Sequence, residues 1–224
     1  MNESQATPTP APKLGLRERG KLEKRRRIKQ AARKVFLDKG YEDATTREIA
    51  NAAEVAIGTL FVYAKDKRDL LMMIINDDLD QLNDELAAQR WEGPLIDQLT
   101  GFFSRRYAYW ASEPRLARPA VQETFDFLSR GTGQGPETAR FYGRRGRIAE
   151  LLEAIISAKQ EAGRIGREHA AADIASLCMT IYLTEVRRWL NDDNPKPEAG
   201  MARLRKLLAL ALSGVRPADG EAAP

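Results

Sequence analysis

Between Lys24 and Leu71 the apolar side chains recur at helical spacing, with almost no chain left over for connections, and this limits the local fold to short helices joined by tight turns. Ile28, Ala31, Ala32, Val35 and Phe36 follow the i, i+3, i+4, i+7, i+8 stripe of an amphipathic helix, and its other face is basic. Lys39 in the last turn and Gly40 beyond it are stop signals, which end this helix at about Lys39. Thr45-Thr46-Arg47-Glu48 is a capping box: the Thr45 hydroxyl can accept from the Glu48 amide while the Glu48 side chain reaches back. Ile49, Ala50 and Ala53 then face inward, and Val55, Leu60 and Tyr63 follow so soon that the second and third helices must meet at a tight turn. That is a helix-turn-helix. In such a unit the second helix lies in the major groove of DNA and the flanking elements hold phosphates.

Charge is distributed to match. The 224 residues carry a net +4, but Lys13 to Arg68 alone holds 16 Lys and Arg against 8 Asp and Glu, leaving −3 from Asp69 onward. Affinity for a polyanion is therefore a property of the first segment, a basic head on a near-neutral body. Arg17, Arg19, Lys21, Lys24, Arg25, Arg26 and Arg27 lead into the first helix and read as an arm able to follow phosphates or the minor groove, against the plainer reading of a solubilised helix start. One cysteine, Cys178, excludes an internal disulfide, and no Cys and His cluster has metal spacing, so the expected compartment is the reducing cytoplasm, with no metal and no cofactor. No cationic start with an apolar h-region and no apolar run near ~18 residues is present, so neither secretion nor a membrane span is expected.

On Ala31, Phe36, Gly40, Tyr41, Thr45, Arg47, Ile49, Ala50, Val55, Gly58, Thr59, Leu60, Tyr63, Lys67 and Leu70, the stretch from Ile28 to Leu71 resembles the N-terminal domain of the TetR family of bacterial transcriptional regulators. The resemblance implies an all-α fold: an N-terminal three-helix DNA-binding head with a helix-turn-helix, then a C-terminal helical ligand-binding and dimerisation domain. Three positions depart from the usual pattern. Glu54 stands where glycine is common in the turn, so a left-handed backbone there would cost on the order of 1 kcal/mol. Ala56 replaces the serine that usually caps the recognition helix, a loss of about 1 kcal/mol in capping. Ala64 replaces a common phenylalanine. The expected DNA contacts are Arg26, Arg27, Thr45, Thr46, Arg47, Ile57, Gly58, Thr59, Phe61, Tyr63 and Lys67, with Tyr63 and Lys67 on phosphates and Ile57 and Phe61 on thymine methyls or sugars. So apolar a recognition helix offers few hydrogen bonds to bases, which gives weight to shape readout.

The remaining chain divides into a disordered tail over 1–15, the head over 16–66, a helical body over 67–216 and a second tail over 217–224. Within the body, helices are expected from Lys67 to about Arg90 and over Pro94–Ser112, Pro114–Arg130, Glu137–Gly163, Ala170–Asn191 and Pro197–Gly214. Asp77, Asp78, Asp80 and Asp84 read as a solvated face, as do Arg140, Arg144, Arg145 and Arg147, though the arginines could also meet an anionic effector. The helix from Ala170 shows two apolar faces, Ile174, Cys178, Ile181, Tyr182 and Met179, Leu183, Val186, Leu190. That is too much for one buried side. The final helix offers Met201, Leu204, Leu208, Ala211 and Val215, and the resemblance implies that these two helices pair with their counterparts in a homodimer.

Phe103, Tyr107, Trp110, Phe125, Tyr142, Cys178 and Tyr182 are the candidates for an effector cavity, with Arg106, Gln122 and Glu123 as polar partners. Phe103, Tyr107 and Trp110 also fall at i, i+4, i+7, and for any single aromatic the packed core is the favoured reading. No nucleophile–base pair, metal cluster or phosphate loop supports an enzyme, so no catalytic residue is assigned. The expected function is a homodimeric repressor of a palindromic double-stranded DNA operator, released by a small-molecule effector. The alternatives are a DNA-binding or architectural module without ligand control and, behind it, an all-helical enzyme.

Overall fold

The computed structural model describes residues 15–123 and 135–213, and these are all-α, with no strand among them. Apart from Gly15, the two expected tails lie outside the described residues, as do Phe125, Val215 and the expected end of the helix over Pro114–Arg130. The first helix, α1 (Leu16–Lys39), is longer than the apolar stripe alone indicates, because the basic arm continues it toward the N-terminus without a break. Arg, Lys, Glu and Leu dominate residues 16–27, all strong helix formers. Leu16 and Leu22 on this extension stay exposed.

Two short helices follow, α2 (Thr46–Ala52) and α3 (Ile57–Tyr63). Ile28, Ala32 and Phe36 of α1, Ile49 and Ala50 of α2 and Leu60 of α3 are fully buried together, each at 1% exposure or less. Loss of a side chain such as Phe36 from this small core would cost about 3–5 kcal/mol. Ala64, in place of a phenylalanine, is buried beside them.

The body begins with α4 (Lys67–Ala88), capped by the Asp66 side chain, which accepts from the Asp69 amide. Then come α5 (Leu95–Ser112), α6 (Pro114–Glu123), α7 (Pro136–Glu161), α8 (Ala171–Leu190) and α9 (Pro197–Leu212). The breakers at Gly93-Pro94, Glu113-Pro114 and Pro195 separate them where the sequence indicates. Helix α4 packs on α7, α7 on α8, and α9 closes against α5 and α8. A single cluster of buried apolar side chains runs from Ile28 in the head to Leu208 in α9.

Polar chemistry fixes the joint between α4 and α7. Asp69 is fully buried, and its carboxylate accepts from the Thr138 amide at 2.7 Å, the Thr138 hydroxyl at 3.0 Å and the Lys65 amide at 3.1 Å. Thr138 lies in the first turn of α7, so a side chain 69 residues away caps that helix. Gly135 leaves it room, since a Cβ there would collide with the carboxylate. Two turns further along α4, Asn76 donates to the Glu137 backbone and side chain, both at 2.8 Å, and Arg144 donates to the Asn76 side chain and carbonyl at 2.6 and 2.9 Å.

Asp77, Asp78 and Asp80 of α4 are not the freely solvated face that the charge run indicates, and neither is Arg144 of α7, whereas Asp84, Arg140 and Arg147 remain exposed. Asp77 receives Arg25 at 3.0 Å, Lys29 at 2.7 Å and Arg140 at 3.0 Å; Asp80 receives Arg140 and Arg144; Asp78 receives Arg33; Asp84 receives Arg147. Arg25 also reaches Glu137 at 2.7 Å. Local periodicity could not reveal this, because the partners come from three different helices. At the far end of α1, Arg33 pairs with Glu113 and Arg115 donates to the Leu37 carbonyl, so α1 is held to the body at both ends.

Burial opposes ionisation of Asp77, yet the hydrogen bonds from Arg25, Lys29 and Arg140 outweigh it and hold its carboxyl well below the ordinary 3.8. Asp80 and Glu137 are lowered from 3.8 and 4.5, again against burial, by the arginines and, for Glu137, Asn76. Lowered carboxyls contribute stability that is fully present above their unfolded-state values and is lost as pH falls through the folded ones. Chemical denaturation should therefore give constant stability from pH 6 to 8 and a progressive loss beginning near pH 4.5. Asp77→Asn should flatten that acid limb, and an unchanged limb would remove Asp77 from the cause.

Candidate functional site

The helix-turn-helix is built by the capping box. Thr45 accepts from the Glu48 amide at 3.3 Å, and the Glu48 carboxylate accepts from the Thr45 amide at 3.1 Å and hydroxyl at 3.0 Å. The turn is strained at the residue that the sequence marks: Glu54 has φ +52°, and no other non-glycine among the described residues has positive φ. Arg27 reaches from α1 to the Glu54 carbonyl at 3.3 Å, so its guanidinium braces the turn, whereas the sequence indicates only a DNA contact. The N-cap of α3, Ala56, offers no side-chain acceptor.

Leu60 points into the head core, and the other face of α3 is left bare. Ile57, Phe61 and Val62 are 40%, 47% and 78% exposed, Gly58 is exposed beside them, and Thr59 and Tyr63 are half-buried at the edge. Val62 was not among the expected contacts; its place one residue after Phe61 on the open face is the signal that could have found it. A Cβ on Gly58 would meet nothing within 4 Å, so no packing inside the chain requires glycine there.

Arg47 is exposed at the start of α2, with no hydrogen-bond or ion-pair partner among the described residues, and Thr46 beside it is half-buried. Arg26 is exposed and held by Glu23 at 2.9 Å and Gln30 at 3.1 Å. Lys67 donates to the Glu42 carbonyl at 2.8 Å and lies 4.7 Å over the Tyr41 ring, at the connection between α1 and α2. The head surface thus brings together Arg47, Ile57, Gly58 and Phe61 as open groups, while Arg27, Thr45 and Lys67 carry internal bonds as well.

In the body, the expected aromatics converge, chiefly as core. Phe103 stacks on Tyr182 at 4.7 Å, Tyr107 packs on Tyr182 and Trp189, and the Trp110 indole donates to the Tyr182 hydroxyl at 2.8 Å. Phe103, Tyr107 and Cys178 are fully buried; burial pushes the Cys178 thiol up to about 11, which keeps it an unreactive thiol near neutral pH. Tyr142 packs on Phe141 and under Arg145. Among the described residues of the expected set, Trp110 and Tyr182, with the expected polar partner Arg106, line a cavity of about 40 Å³ between α4, α5, α6, α7 and α8. Phe141, Arg144, Arg145 and Ile148 of α7 form one wall, at i, i+3, i+4, i+7, and Met179, Leu183 and Val186 of α8 form another. That α7 spacing is legible in the sequence, but four arginines within eight residues made the face look solvated. A wider cleft of about 310 Å³ opens at Trp91, Gln98 and Ile155, where no expected residue lies.

Residues 28–72 match the profile of the bacterial regulatory proteins of the tetR family. Residues 28–72 thus form a TetR-type head. Over 90 residues it is 36% identical to the HTH-type transcriptional regulator HbdR of Aromatoleum sp. strain CIB, a match spanning 40% of this chain and 37% of HbdR. Over 58 residues it is 40% identical to the HTH-type regulator SAUSA300_2515 of Staphylococcus aureus, 26% of this chain and 31% of that protein. The chain thus spans about a third of the length of the curated relatives it matches. Solved structures match its fold throughout. FadR of Thermus thermophilus, a TetR-family repressor in complex with lauroyl-CoA, has a TM-score of 0.67 at 23% identity, covering 89% of this chain and 99% of that one. FadR of Bacillus subtilis, in complex with stearoyl-CoA, has a TM-score of 0.61 at 19% identity, covering 85% and 99%.

Within this TetR-type head, Glu54→Gly should relieve the left-handed backbone and stabilise the chain by up to about 1 kcal/mol in denaturant unfolding, with the Arg27 bond to the carbonyl retained. A destabilised variant would mean that the Glu54 side chain outweighs the strain.

Proposed function

We propose that this chain is a cytoplasmic, homodimeric transcriptional repressor that binds a palindromic operator and is released by a small-molecule effector. The bare face of α3 carries the reading. A seven-residue helix that exposes Ile57, Phe61 and Val62 beside a glycine with open space above it presents a surface suited to a partner, and it sits in a head whose sequence charge is +8. Apolar groups of this kind meet thymine methyls and sugars in the major groove. Arg47 and Arg26 supply cations for phosphates, and Thr46, Thr59 and Tyr63 supply hydroxyls at the rim. Thr45 and Lys67 serve DNA while also holding the fold, and Arg27 acts mainly through the turn.

Residues 16–66 act as the DNA-reading unit and 67–216 as the controlling unit. Dimerisation through α8 and α9 is supported by Leu177 and Leu210, which are 46% and 69% exposed, with Ile181 and Ala211 half-buried near them. The residues differ from those the sequence indicates. Leu204 and Leu208 are fully buried within the chain, and Ile174, Cys178, Tyr182, Val186 and Leu190 form one inward stripe at i+4 spacing. The outward seam is narrower.

For the effector, the lauroyl-CoA and stearoyl-CoA of the two FadR structures make an apolar chain the ligand class to try first. A cavity of about 40 Å³ is far below the ~300 Å³ of a drug-sized site, so a ligand body must part α7 from its neighbours. Helix α7 is bonded to α4 by Asp69, Asn76 and Asp80 and to α1 by Glu137 with Arg25, so displacement there reaches the head. A module without ligand control is favoured by the small cavity alone. No helix among the described residues is long and apolar enough to cross a membrane, and none of the described residues form a metal-binding group.

Footprinting on the upstream region of its own gene, followed by titration at several salt concentrations, tests the DNA reading. Arg47→Ala should keep its unfolding midpoint, weaken binding and lower the log–log salt slope by about 1. Gly58→Ala should raise stability by about 1 kcal/mol, because glycine is poor in a helix, and still weaken binding through the lost close approach. Tighter or unchanged binding by both variants would overturn the α3 surface.

A further inference from the structure

Arg106 is a buried cation with no anion among the described side chains. Its side chain comes from α5, is 3% exposed and lines the cavity between α4, α5, α7 and α8. One guanidinium nitrogen donates to Asn83 Oδ1 at 3.0 Å, the group lies 5.7 Å from the Tyr182 ring centroid, and its Nε has no partner. No carboxylate among the described side chains pairs with it, and none lines the cavity. A buried charge without a countercharge is costly, whereas α7 shows the ordinary solution in Arg144, whose guanidinium is bonded to Asp80 at 2.6 Å.

We propose that Arg106 is the anchor for the carboxylate of the effector, whose hydrocarbon or aromatic body lies against Leu79, Trp110, Phe141, Met179 and Leu183. This rests on the ligand-responsive reading above and goes beyond it by fixing the charge of the ligand and the residue that selects it. A planar carboxylate suits the fork of a guanidinium. The free volume of about 40 Å³ accommodates such a group. Arg144 and Arg145 in the same wall add positive potential. The apolar body, being larger than the space present, opens the cavity beside Arg144, whose remaining bonds run to Asn76 on α4.

The test is thermal unfolding of the full chain and of Arg106→Met with acetate, butanoate, octanoate and benzoate, each beside its uncharged amide. Octanoate or benzoate should raise the wild-type midpoint by about 3–5 °C at tenfold over Kd, and its amide should not. In Arg106→Met that gain should vanish, and the ligand-free variant should unfold no earlier than wild type, because the unpaired cation is gone. Three results would overturn the proposal: a ligand-free variant that unfolds several degrees early, a carboxylate effect that survives the substitution, or amides that act as well as acids throughout. Operator binding is read separately. Wild type that binds operator but does not distinguish carboxylates from their amides counts against Arg106 alone, whereas absence of operator binding by wild type counts against the regulator.

Discussion

Asp69 holds one carboxylate between two parts of the chain that must move together. It accepts from Lys65, just after the third helix, and from both polar groups of Thr138, in the first turn of α7. A buried carboxylate is expensive, and here three donors and the positive end of a 26-residue helix offset the cost. The position of α7 relative to α4 follows from it. So does the register in which Asn76 meets Glu137 and Arg144, and Asp77 meets the cations of α1. Without Asp69 the buried amide and hydroxyl of Thr138 would lose their acceptor, a loss of about 1–3 kcal/mol for each, and the ion pairs beyond would lose their alignment.

Most of the head was legible because its signals are local. A hydroxyl and a carboxylate three residues apart form the capping box wherever a helix begins, and Glu54 and Ala56 mark a strained, weakly capped turn that the backbone at φ +52° reproduces. Helix limits in the body, apart from the end of α6, which falls outside the described residues, were legible to within a few residues, since proline and glycine punctuate them. The partners of charged side chains were not. Asp77 lies 52 residues from Arg25 and 63 from Arg140, and no periodicity along α4 tells a solvated carboxylate from one that holds three cations. The two apolar faces assigned to α8 regroup for a related reason: residues at i+4 drift only 40° per step, so Ile174, Cys178, Tyr182, Val186 and Leu190, drawn from both sets, share one buried stripe, while Met179, Ile181 and Leu183 stay half-buried.

The candidate site was legible in proportion to its exposure. Residues on α3 declared themselves by being apolar where nothing in the head could cover them. The cavity residues did not, because Phe103 and Tyr107 satisfy the same spacing as Trp110, and only tertiary packing decides which side chains border empty space. Arg106 was noticed as a polar neighbour of the aromatics, but its isolation from every described carboxylate is a negative fact about its surroundings, which a linear sequence does not carry.

The two ends of α1 also change what its charge means. Arg25, Lys29 and Arg33 recur at i, i+4, i+8 and are neutralised by Asp77, Glu137, Asp78 and Glu113. Three of the cations counted in the +8 of the sequence are thereby already committed, so a polyanion approaching the head meets a weaker field than composition implies. Those same pairs are the fastening of the head to the body. Raising the ionic strength thus weakens the pull of the head on any polyanion and the internal fastening at once, and the rigidity of this molecule and its attraction for negative charge share a single electrolyte dependence.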